Sequence, residues 1–163
     1  MNKSIYFIIA ALWLLADQWS KIWAVSELKD KQRIIDVLPM LRWEYAENHG
    51  AAFSFLATQN GWQKWFFLTI GVVAVVVLAV MIIKTHKGQF LLLFGYASIL
   101  GGAIGNLYDR AVLGYVRDMI RVYYEPVNFY FAIFNVADMA ISVGVGALII
   151  DWLFSLKNAK AGG

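Results

Sequence analysis

The stretch Gly101-Gly-Ala-Ile-Gly-Asn-Leu-Tyr-Asp-Arg110 closes a long apolar run that begins at Phe90. The eighteen residues of Phe90–Leu107 carry no charge, which is close to the roughly 20 mostly apolar residues of a membrane-spanning helix. Gly101 and Gly105 are four residues apart, the spacing at which small residues let membrane helices pack closely. The stretch therefore predicts a membrane helix in close contact with its neighbours.

Three more apolar segments lie on either side of this run, and each is long enough to cross a bilayer. The chain is 61% hydrophobic with a mean hydropathy of +0.62, well above the roughly 45–50% apolar content of soluble domains. We therefore predict an all-α membrane protein with four transmembrane helices in a single domain, residues 1–163. The approximate spans are residues 5–25, 65–83, 90–107 and 133–156.

The first segment allows two interpretations. Lys3 and the apolar Ile5–Ala16 also fit the n-region and h-region of a cleaved signal peptide. Cleavage would discard Asp17 and Lys21, which are four apart and can form an ion pair on one helix face. We favour a retained helix, in which Lys21 extends outward to the membrane surface and the pair steadies the helix.

Several chemistries lack their residues. There is no Cys, hence no thiol nucleophile or disulfide. The two histidines, His49 and His86, lie in different connections, and no H-E-x-x-H motif or Gly-x-Gly-Asp signature is present. A net charge of +3 gives no nucleic-acid footprint. We expect no metal, no cofactor and no nucleic-acid partner.

Two long connections, residues 26–64 and 109–132, lie on one side of a four-span chain, and the short connection 84–89 lies with both termini on the other. Apolar and charged residues alternate over Leu41–Tyr45, the period of a half-buried strand. Nine of the fourteen Lys and Arg lie on the side of the long connections. The positive-inside rule therefore leaves the orientation open.

Asp118 and Asp138 are the acidic residues that most need a function. Each stands beside a long apolar segment, and an acid at bilayer depth costs at least about 2.5 kcal/mol. Two such acids suggest acid/base chemistry. Asn135, three residues before Asp138, can hold and orient its carboxylate. A purely structural pairing of Asp138 with Arg110 or Lys21 remains an alternative.

Two other polar groups accompany them. Asn48-His-Gly-Ala-Ala-Phe53 combines an amide that can donate and accept with Gly50, which permits close backbone approach. By itself this motif is also compatible with a simple polar turn. Asn106 and Arg110 share a helix face and belong either to a buried network or to a site.

Together these stretches resemble the bacterial lipoprotein signal peptidase family, signal peptidase II, over nearly the whole chain. The motifs are Asp17-x-x-Ser-Lys21, Asn48-x-Gly-Ala-Ala-Phe53, Gly101-Gly-Ala-Ile-Gly-Asn106-Leu-Tyr-Asp-Arg110, Val116-Arg-Asp118 and Phe134-Asn-Val-Ala-Asp138. The resemblance implies an aspartyl endopeptidase of the bacterial inner membrane. It would remove signal peptides from prolipoproteins, cutting just before a cysteine that carries diacylglycerol.

The resemblance also implies roles and partners. Asp118 and Asp138 would be the catalytic dyad. Substrate binding or support of the dyad would fall to Asn48, Gly50, Asn106, Arg110 and Asn135, and structural support to Asp17 and Lys21. The long connections would form a small periplasmic β-cradle and a short, flap-like periplasmic helix. The active site would lie near the periplasmic face and both termini in the cytoplasm. Membrane lipids and globomycin-type cyclic peptides would be further partners.

One position departs from the family pattern. Arg117 and Met119 flank Asp118, where the family usually has an apolar residue and Phe. A cation directed at Asp118 would depress its pKa, whereas a solvent-directed one would have little effect. From another functional class, a small transporter or structural membrane protein would use the two acids as an ion relay or for helix pairing. Cleavage of a lipidated prolipoprotein discriminates between these functions.

Overall fold

The computed structural model of the protein describes residues 2–50 and 62–161. The described residues form four long helices and four strands, and each helix is long and apolar enough to cross a membrane, as predicted. The helices are α1 (Ser4–Ala24), α2 (Trp62–Lys84), α3 (Phe90–Val112) and α4 (Val136–Ala161). The strands are β1 (Ile35–Leu38), β2 (Leu41–Asn48), β3 (Val116–Tyr124) and β4 (Phe129–Tyr130).

Helix α3 is the central helix of the bundle. In its most apolar part 56% of the residues are buried, against 11–22% in the other three helices, and it packs on all of them. A Cβ added to Gly101 would lie 2.5 Å from the carbonyl oxygen of Ala10 in α1. One added to Gly105 would overlap the carboxylate of Asp17. The predicted small-residue contact is therefore confirmed, and its partner is α1.

The outer faces of the helices carry large apolar side chains that no described residue covers. Examples are Leu15, Trp19, Trp65, Val73 and Phe154, all more than half exposed. In water such an exposed apolar surface would be strongly unfavourable, whereas in a membrane it contacts apolar lipid chains. The outer faces thus agree with the membrane assignment.

The first segment contributes to the packed core as helix α1. Tyr6 and Ala10 are buried in one cluster with Leu93 and Ala97 of α3. Removal of residues 5–16 as a signal peptide would delete these contacts. The structure therefore favours the interpretation of this segment as a retained helix.

The strands form an antiparallel sheet in the order β1-β2-β3-β4. The predicted strand at Leu41–Tyr45 is confirmed and extends to Asn48 as β2. In the β2–β3 register Trp43 pairs with Ile120 and Ala46 with Asp118, with a bulge between these pairs. This register carries Asp118 to the part of the sheet nearest the helices.

Asp118 is therefore part of a strand, and its expected position at the end of a membrane span was wrong. The sequence of β3, Val-Arg-Asp-Met-Ile-Arg-Val-Tyr-Tyr, lacks a clean alternation of apolar and polar residues. Its first five residues are all buried, because helices cover one face and the sheet's own small core covers the other. Such two-sided burial removes the period-2 signal of a strand.

A shorter turn of helix accompanies each long connection within the described residues. Val25–Lys29 extends α1 by one π-helical turn, and Glu125–Val127 forms a 3-10 turn that contains Pro126. Residues 51–61, which include the second half of the Asn48–Phe53 motif, lie outside the described ranges. The short helix implied by the family resemblance therefore stays a prediction.

Candidate active site

The carboxylates of Asp118 and Asp138 are joined through two amide side chains. Asn135 Nδ2 donates to Asp118 Oδ1 at 2.6 Å and to Asn106 Oδ1 at 3.2 Å. Asn106 Nδ2 donates in turn to Asp138 Oδ1 at 2.8 Å. Strand β3, helix α3 and the start of α4 thus bring the two acids into one hydrogen-bonded unit.

Helix α4 begins with a reciprocal cap that contains one of the acids. The Asp138 N–H donates to Asn135 Oδ1 at 2.9 Å, and the Asn135 N–H donates to Asp138 Oδ2 at 3.2 Å. This is the capping-box arrangement with Asp in the position usually filled by Glu or Gln. Asn135 therefore holds the Asp138 carboxylate as expected, but through its main-chain N–H, because its side-chain amide N–H is directed at Asp118 and Asn106.

Asn48 reaches the dyad from the end of strand β2. Its Nδ2 donates to Asp118 Oδ2 at 3.1 Å, while its Oδ1 accepts the Gly50 N–H at 2.9 Å. The second bond fixes which end of the amide faces the carboxylate. Asn48 is thus more than part of a polar turn, because it holds the second oxygen of Asp118.

Gly50 has a left-handed backbone with φ of +89°, and it packs directly on the ring of Phe67 in α2. A Cβ at Gly50 would lie 2.5 Å from Phe67 Cε2. On the same ring lies the guanidinium of Arg110, 5.3 Å from its centre, a cation–π distance. Phe67 thus connects two predicted site residues, and sequence reasoning had not identified it.

Arg110 lies one helical turn after Asn106, and its charge interacts with both carboxylates of the dyad. Within the described parts of the chain, neither Arg110 nor Lys21 forms an ion pair with Asp138. The alternative in which Asp138 serves only as a partner for one of these cations is therefore not supported. Arg110 is placed to meet a group that enters the site.

Beneath the dyad lies a set of buried charges that begins with the predicted pair of Asp17 and Lys21. Lys21 Nζ lies 2.8 Å from Asp17 Oδ2, as predicted, and donates to Asn106 Oδ1 at 3.1 Å. Its side chain is 0% exposed, so the expected extension to the membrane surface was wrong. Carboxylate and amide oxygens inside the bundle satisfy the ammonium, and it has no need of water.

Asp17 also connects α1 to α4. Its Oδ1 accepts the N–H of Ala137 at 2.9 Å, in the first turn of α4. A helix leaves its first N–H groups without internal partners, and a carboxylate satisfies them well. Asp17 and Lys21 therefore contact two residues beside the dyad: Ala137, which precedes Asp138, and Asn106, which binds it.

Asp109, Gln18 and Arg117 complete the buried set and were not assigned to the site from sequence. Arg117 Nη2 donates to Asp109 Oδ1 at 2.7 Å and its Nε to Oδ2 at 3.0 Å. Adjacent strand residues point to opposite faces, so Arg117 turns away from Asp118. The expectation that Arg117 faces either Asp118 or solvent was therefore wrong. Recognition of β3 as a strand was the missing signal.

Burial raises the pKa of Asp118 to about 6 from its ordinary value of 3.8. The negative charge of Asp138 acts in the same direction, while hydrogen bonds from Asn135 and Asn48 and the charge of Lys21 act against it. Asp118 is only 2% exposed, and desolvation of this kind favours the neutral acid. Asp118 can therefore keep its proton to a higher pH than an ordinary aspartate, as acid/base catalysis by two carboxylates requires of one member of the pair.

The chain is similar in sequence to known proteins over most of its length. The protein-family model described as signal peptidase (SPase) II matches residues 9–154. The protein named lipoprotein signal peptidase from Dichelobacter nodosus is 44% identical over 150 residues, covering 91% of this chain and 94% of that protein. One of the same name from Pseudomonas aeruginosa is 43% identical over 153 residues, covering 94% and 90%.

Solved structures give the same result for the fold. A bacterial membrane enzyme solved at 2.3 Å superimposes with a TM-score of 0.80 at 26% identity, covering 95% of this chain and 91% of that one. A second bacterial membrane enzyme, solved at 1.9 Å, gives a TM-score of 0.78 at 26% identity, covering 92% and 93%.

Proposed function

Because the chain belongs to the signal peptidase II family and is a membrane protease, we propose that it is an aspartyl endopeptidase that processes lipoproteins. Its substrates are prolipoproteins whose cysteine carries diacylglycerol, and it cuts just before that cysteine. The observation that carries the proposal is the hydrogen-bonded unit of Asp118, Asn135, Asn106 and Asp138. The whole chain acts as one integral membrane domain.

The two carboxylates divide the work according to their surroundings. Asp118 is the more buried of the two, and burial raises its pKa to about 6, so we assign it the proton. Asp138, whose carboxylate accepts a backbone N–H at the start of α4, is assigned the role of base. Asp138 takes a proton from water as the water oxygen attacks the scissile carbonyl carbon. Asp118 gives its proton to the carbonyl oxygen, which yields a neutral tetrahedral diol.

Collapse of the diol returns the protons. Asp138 passes its proton to the leaving nitrogen as the C–N bond breaks, and Asp118 regains a proton from a diol hydroxyl as the new carboxyl group forms. Asn106 and Asn135 hold the two acids in place, because Asn106 donates an amide N–H to Asp138 and Asn135 donates one to Asp118. Both acids then have the protonation states with which they began.

Arg110 is the residue best placed to hold the peptide, while Asn48 supports the dyad through Asp118. Arg110 rests on the Phe67 ring beside the dyad and can donate to a substrate carbonyl in a forked geometry that Lys lacks. Exposed apolar faces of the bundle would hold the diacylglyceryl chains among the membrane lipids. A globomycin-type cyclic peptide would compete at the same place by presenting carbonyl groups to the dyad and Arg110.

The test uses purified protein in detergent with a diacylglyceryl prolipoprotein and follows the mobility shift of the cleaved product. Asp118→Asn and Asp138→Asn are each expected to abolish cleavage, since an amide of similar shape cannot cycle a proton. Asp151→Asn is the matched control, because Asp151 lies in the same helix as Asp138 but outside the site. Near wild-type cleavage by either dyad variant would remove the dyad assignment.

Failure of the wild-type protein to cleave would favour the transporter or structural function. A transporter would leave the prolipoprotein intact at every pH. The same assay thus separates the two classes of function before any variant is made.

A further inference from the structure

Arg117 makes more contacts to Asp109 than a surface ion pair does. Its Nε and Nη2 each bind one carboxylate oxygen, at 3.0 and 2.7 Å, and its main-chain N–H binds Oδ2 at 3.0 Å. Nη2 also donates to Gln18 Oε1 at 2.9 Å. Asp109 is 0% exposed. Three of its hydrogen bonds therefore come from one residue on strand β3.

The buried charges below the dyad balance only when Arg117 is included. Asp17 and Asp109 are negative, and Lys21 and Arg117 are positive, with all four buried. Gln18 joins the two halves, since its Nε2 donates to Asp17 Oδ2 at 3.0 Å and to Asp109 Oδ1 at 3.3 Å. A buried charge without a partner is strongly destabilising. If one cation is lost, another charged residue of the set must therefore compensate for it.

If Arg117 is lost, Lys21 is the cation that would have to compensate for it. Its Nζ lies 2.8 Å from Asp17 Oδ2 and 3.5 Å from Asp109 Oδ2, and 3.1 Å from Asn106 Oδ1. Its distance to Asp109 is the longest of the three, because Arg117 already binds that carboxylate. Lys21 is therefore free to bind the amide oxygen of Asn106.

Asn106 passes this constraint to the dyad. With its oxygen bound by Lys21 and Asn135, only its Nδ2 remains to donate to Asp138 Oδ1. If Lys21 moved toward Asp109, the amide would lose the bond that fixes its orientation. The position of Asp138 relative to Asp118 would then be less well defined.

We propose that Arg117 is a positioning residue for the dyad, which by binding Asp109 keeps Lys21 on Asn106 and so keeps the Asn106 amide directed at Asp138. This role rests on the proposed function of the dyad. It is distinct from a direct effect of the Arg117 charge on Asp118, because the guanidinium is bound to Asp109 and Gln18 on the other side of the strand.

The test compares Arg117→Met, Arg117→Lys and the double variant Arg117→Met/Asp109→Asn by kcat, KM and the pH dependence of cleavage. In Arg117→Met we expect kcat to fall about ten- to hundred-fold, the scale of a small misplacement of a reacting group, with KM little changed. Lys, which can make only one of the two side-chain bonds to Asp109, should restore part of the rate. Arg121→Met, four residues along β3 and bound to Glu44, is the control and should match wild type.

The pH dependence of cleavage distinguishes positioning of the dyad through the network from a direct electrostatic effect of Arg117 on Asp118. The charges that act on Asp118 come from Asp138, Lys21 and Arg110. Without Arg117 the unbalanced Asp109 draws Lys21 away, so both limbs of the profile should move to higher pH. Asp109→Asn in the same chain removes the unbalanced charge and should return both limbs and most of kcat.

Wild-type rates and an unmoved profile in Arg117→Met would overturn the proposal, as would a shift that the double variant fails to reverse. If Arg117→Met does not fold, the double variant decides: a folded and active double variant supports the proposal. A folded but inactive one, or an unfolded one, overturns it. Full activity of Asp118→Asn or Asp138→Asn would instead remove the proposed function, which these outcomes leave untouched.

Discussion

Asp118 shows how a single buried acid can set both the chemistry and the stability of the site. Its carboxylate accepts amide N–H groups from Asn48 and Asn135, yet burial still raises its pKa to about 6. Hydrogen bonds that hold a charged group in place do not fully replace the water it has lost. The residue is therefore held for reaction in a place where its ionisation works against the fold.

The first prediction concerns the destabilising effect of Asp118 ionisation on the fold, and it compares Asp118→Asn with the wild type. The unfolded chain releases the Asp118 proton near 3.8, and the folded protein near 6. The contribution of Asp118 to the free energy of unfolding of the wild type is therefore complete below about pH 4, and it is lost as pH rises through about 6. The full loss is on the order of 3 kcal/mol, from about 1.4 kcal/mol per pKa unit.

The measurement is the melting temperature of both proteins in detergent from pH 4 to 7. Asn places an amide against donors, which gives a constant offset at every pH. The difference in melting temperature, variant minus wild type, should rise with pH and level off above about 6. A difference that stays flat would contradict the raised pKa of Asp118.

The second prediction concerns Phe67, whose ring carries Arg110. Phe67→Leu should lower kcat/KM by about two- to thirty-fold, since a cation–π contact is worth about 0.5–2 kcal/mol. Phe67→Tyr keeps the ring and should keep most of the activity. Trp65→Leu removes a ring from the same turn at a position that is 70% exposed, and it serves as the control.

Gly50→Ala tests the same contact from the opposite side. Its Cβ would lie 2.5 Å from the Phe67 ring, and its φ of +89° disfavours any residue with a side chain. It should therefore lower activity in parallel with Phe67→Leu. If Phe67→Leu and the Trp65→Leu control fall equally, the effect of Phe67 is not exerted through Arg110.

At the scale of elements, the site depends on how closely α3 and α4 approach. Gly102 lies directly against the main chain of Ala137, the residue before Asp138, and a Cβ there would overlap the Ala137 carbonyl oxygen. The main chain cannot move aside cheaply, because the Ala137 N–H is also bound to Asp17. Because Gly102 has no side-chain methyl group, the first turn of α4 can pack this closely against α3.

The third prediction follows from this contact. Gly102→Ala should destabilise the protein by about 1–3 kcal/mol, the usual cost of overpacking, and should slow cleavage by displacing Asp138. Gly146→Ala is the matched control, because a Cβ at Gly146 meets nothing within 4 Å. It should be neutral or stabilising by up to about 1 kcal/mol. Equal effects of the two substitutions in thermal unfolding and cleavage assays would refute the contact argument.

The elements also show what the sequence could and could not reveal. Long apolar runs with few charges identified the four helices, since each is long enough to cross a bilayer. Strand β2 was identified from its alternation over Leu41–Tyr45. Strands β1 and β4 are short, and β3 is buried on both sides at its start, so none of them shows that pattern. The site acids stood out because charge is rare in apolar surroundings.

The supporting residues of the site were harder to find. Asp109 and Arg117 are eight residues apart, and their pairing depends on the turn between α3 and β3. Gln18 and Phe67 carry no signal in a single sequence, because an uncharged side chain reveals its partner only in the folded protein. What remained hidden was therefore the set of contacts between elements, while the two acids of the proposed dyad were visible.

At the scale of the whole molecule, the sheet lies at one end of the bundle, and the short connection between α2 and α3 lies at the other. We infer that the sheet end faces the periplasm and that the chain termini face the cytoplasm. The count of Lys and Arg leaves this orientation open, so it needs a direct measurement.

The fourth prediction supplies that measurement through single Cys substitutions in a chain that has none of its own. Lys31→Cys and Tyr124→Cys, both exposed at the sheet end, should react with an impermeant thiol reagent in intact cells. His86→Cys, exposed in the short connection, should react only after the membrane is opened. Trp43 is a poor reporter because its ring packs edge-on against Trp23. The reverse labelling pattern would invert the topology.

The bond between Asp17 and the Ala137 N–H joins residues 120 positions apart in the sequence. During synthesis α1 enters the bilayer long before α4. In that interval Asp17 of α1 is already paired to Lys21 in the same helix. Until the chain from Asn135 onward enters, Asp138 is missing and Asp118 lacks its bond from Asn135. On the proposed mechanism, a chain that is still being inserted therefore cannot cleave until its last helix is in place.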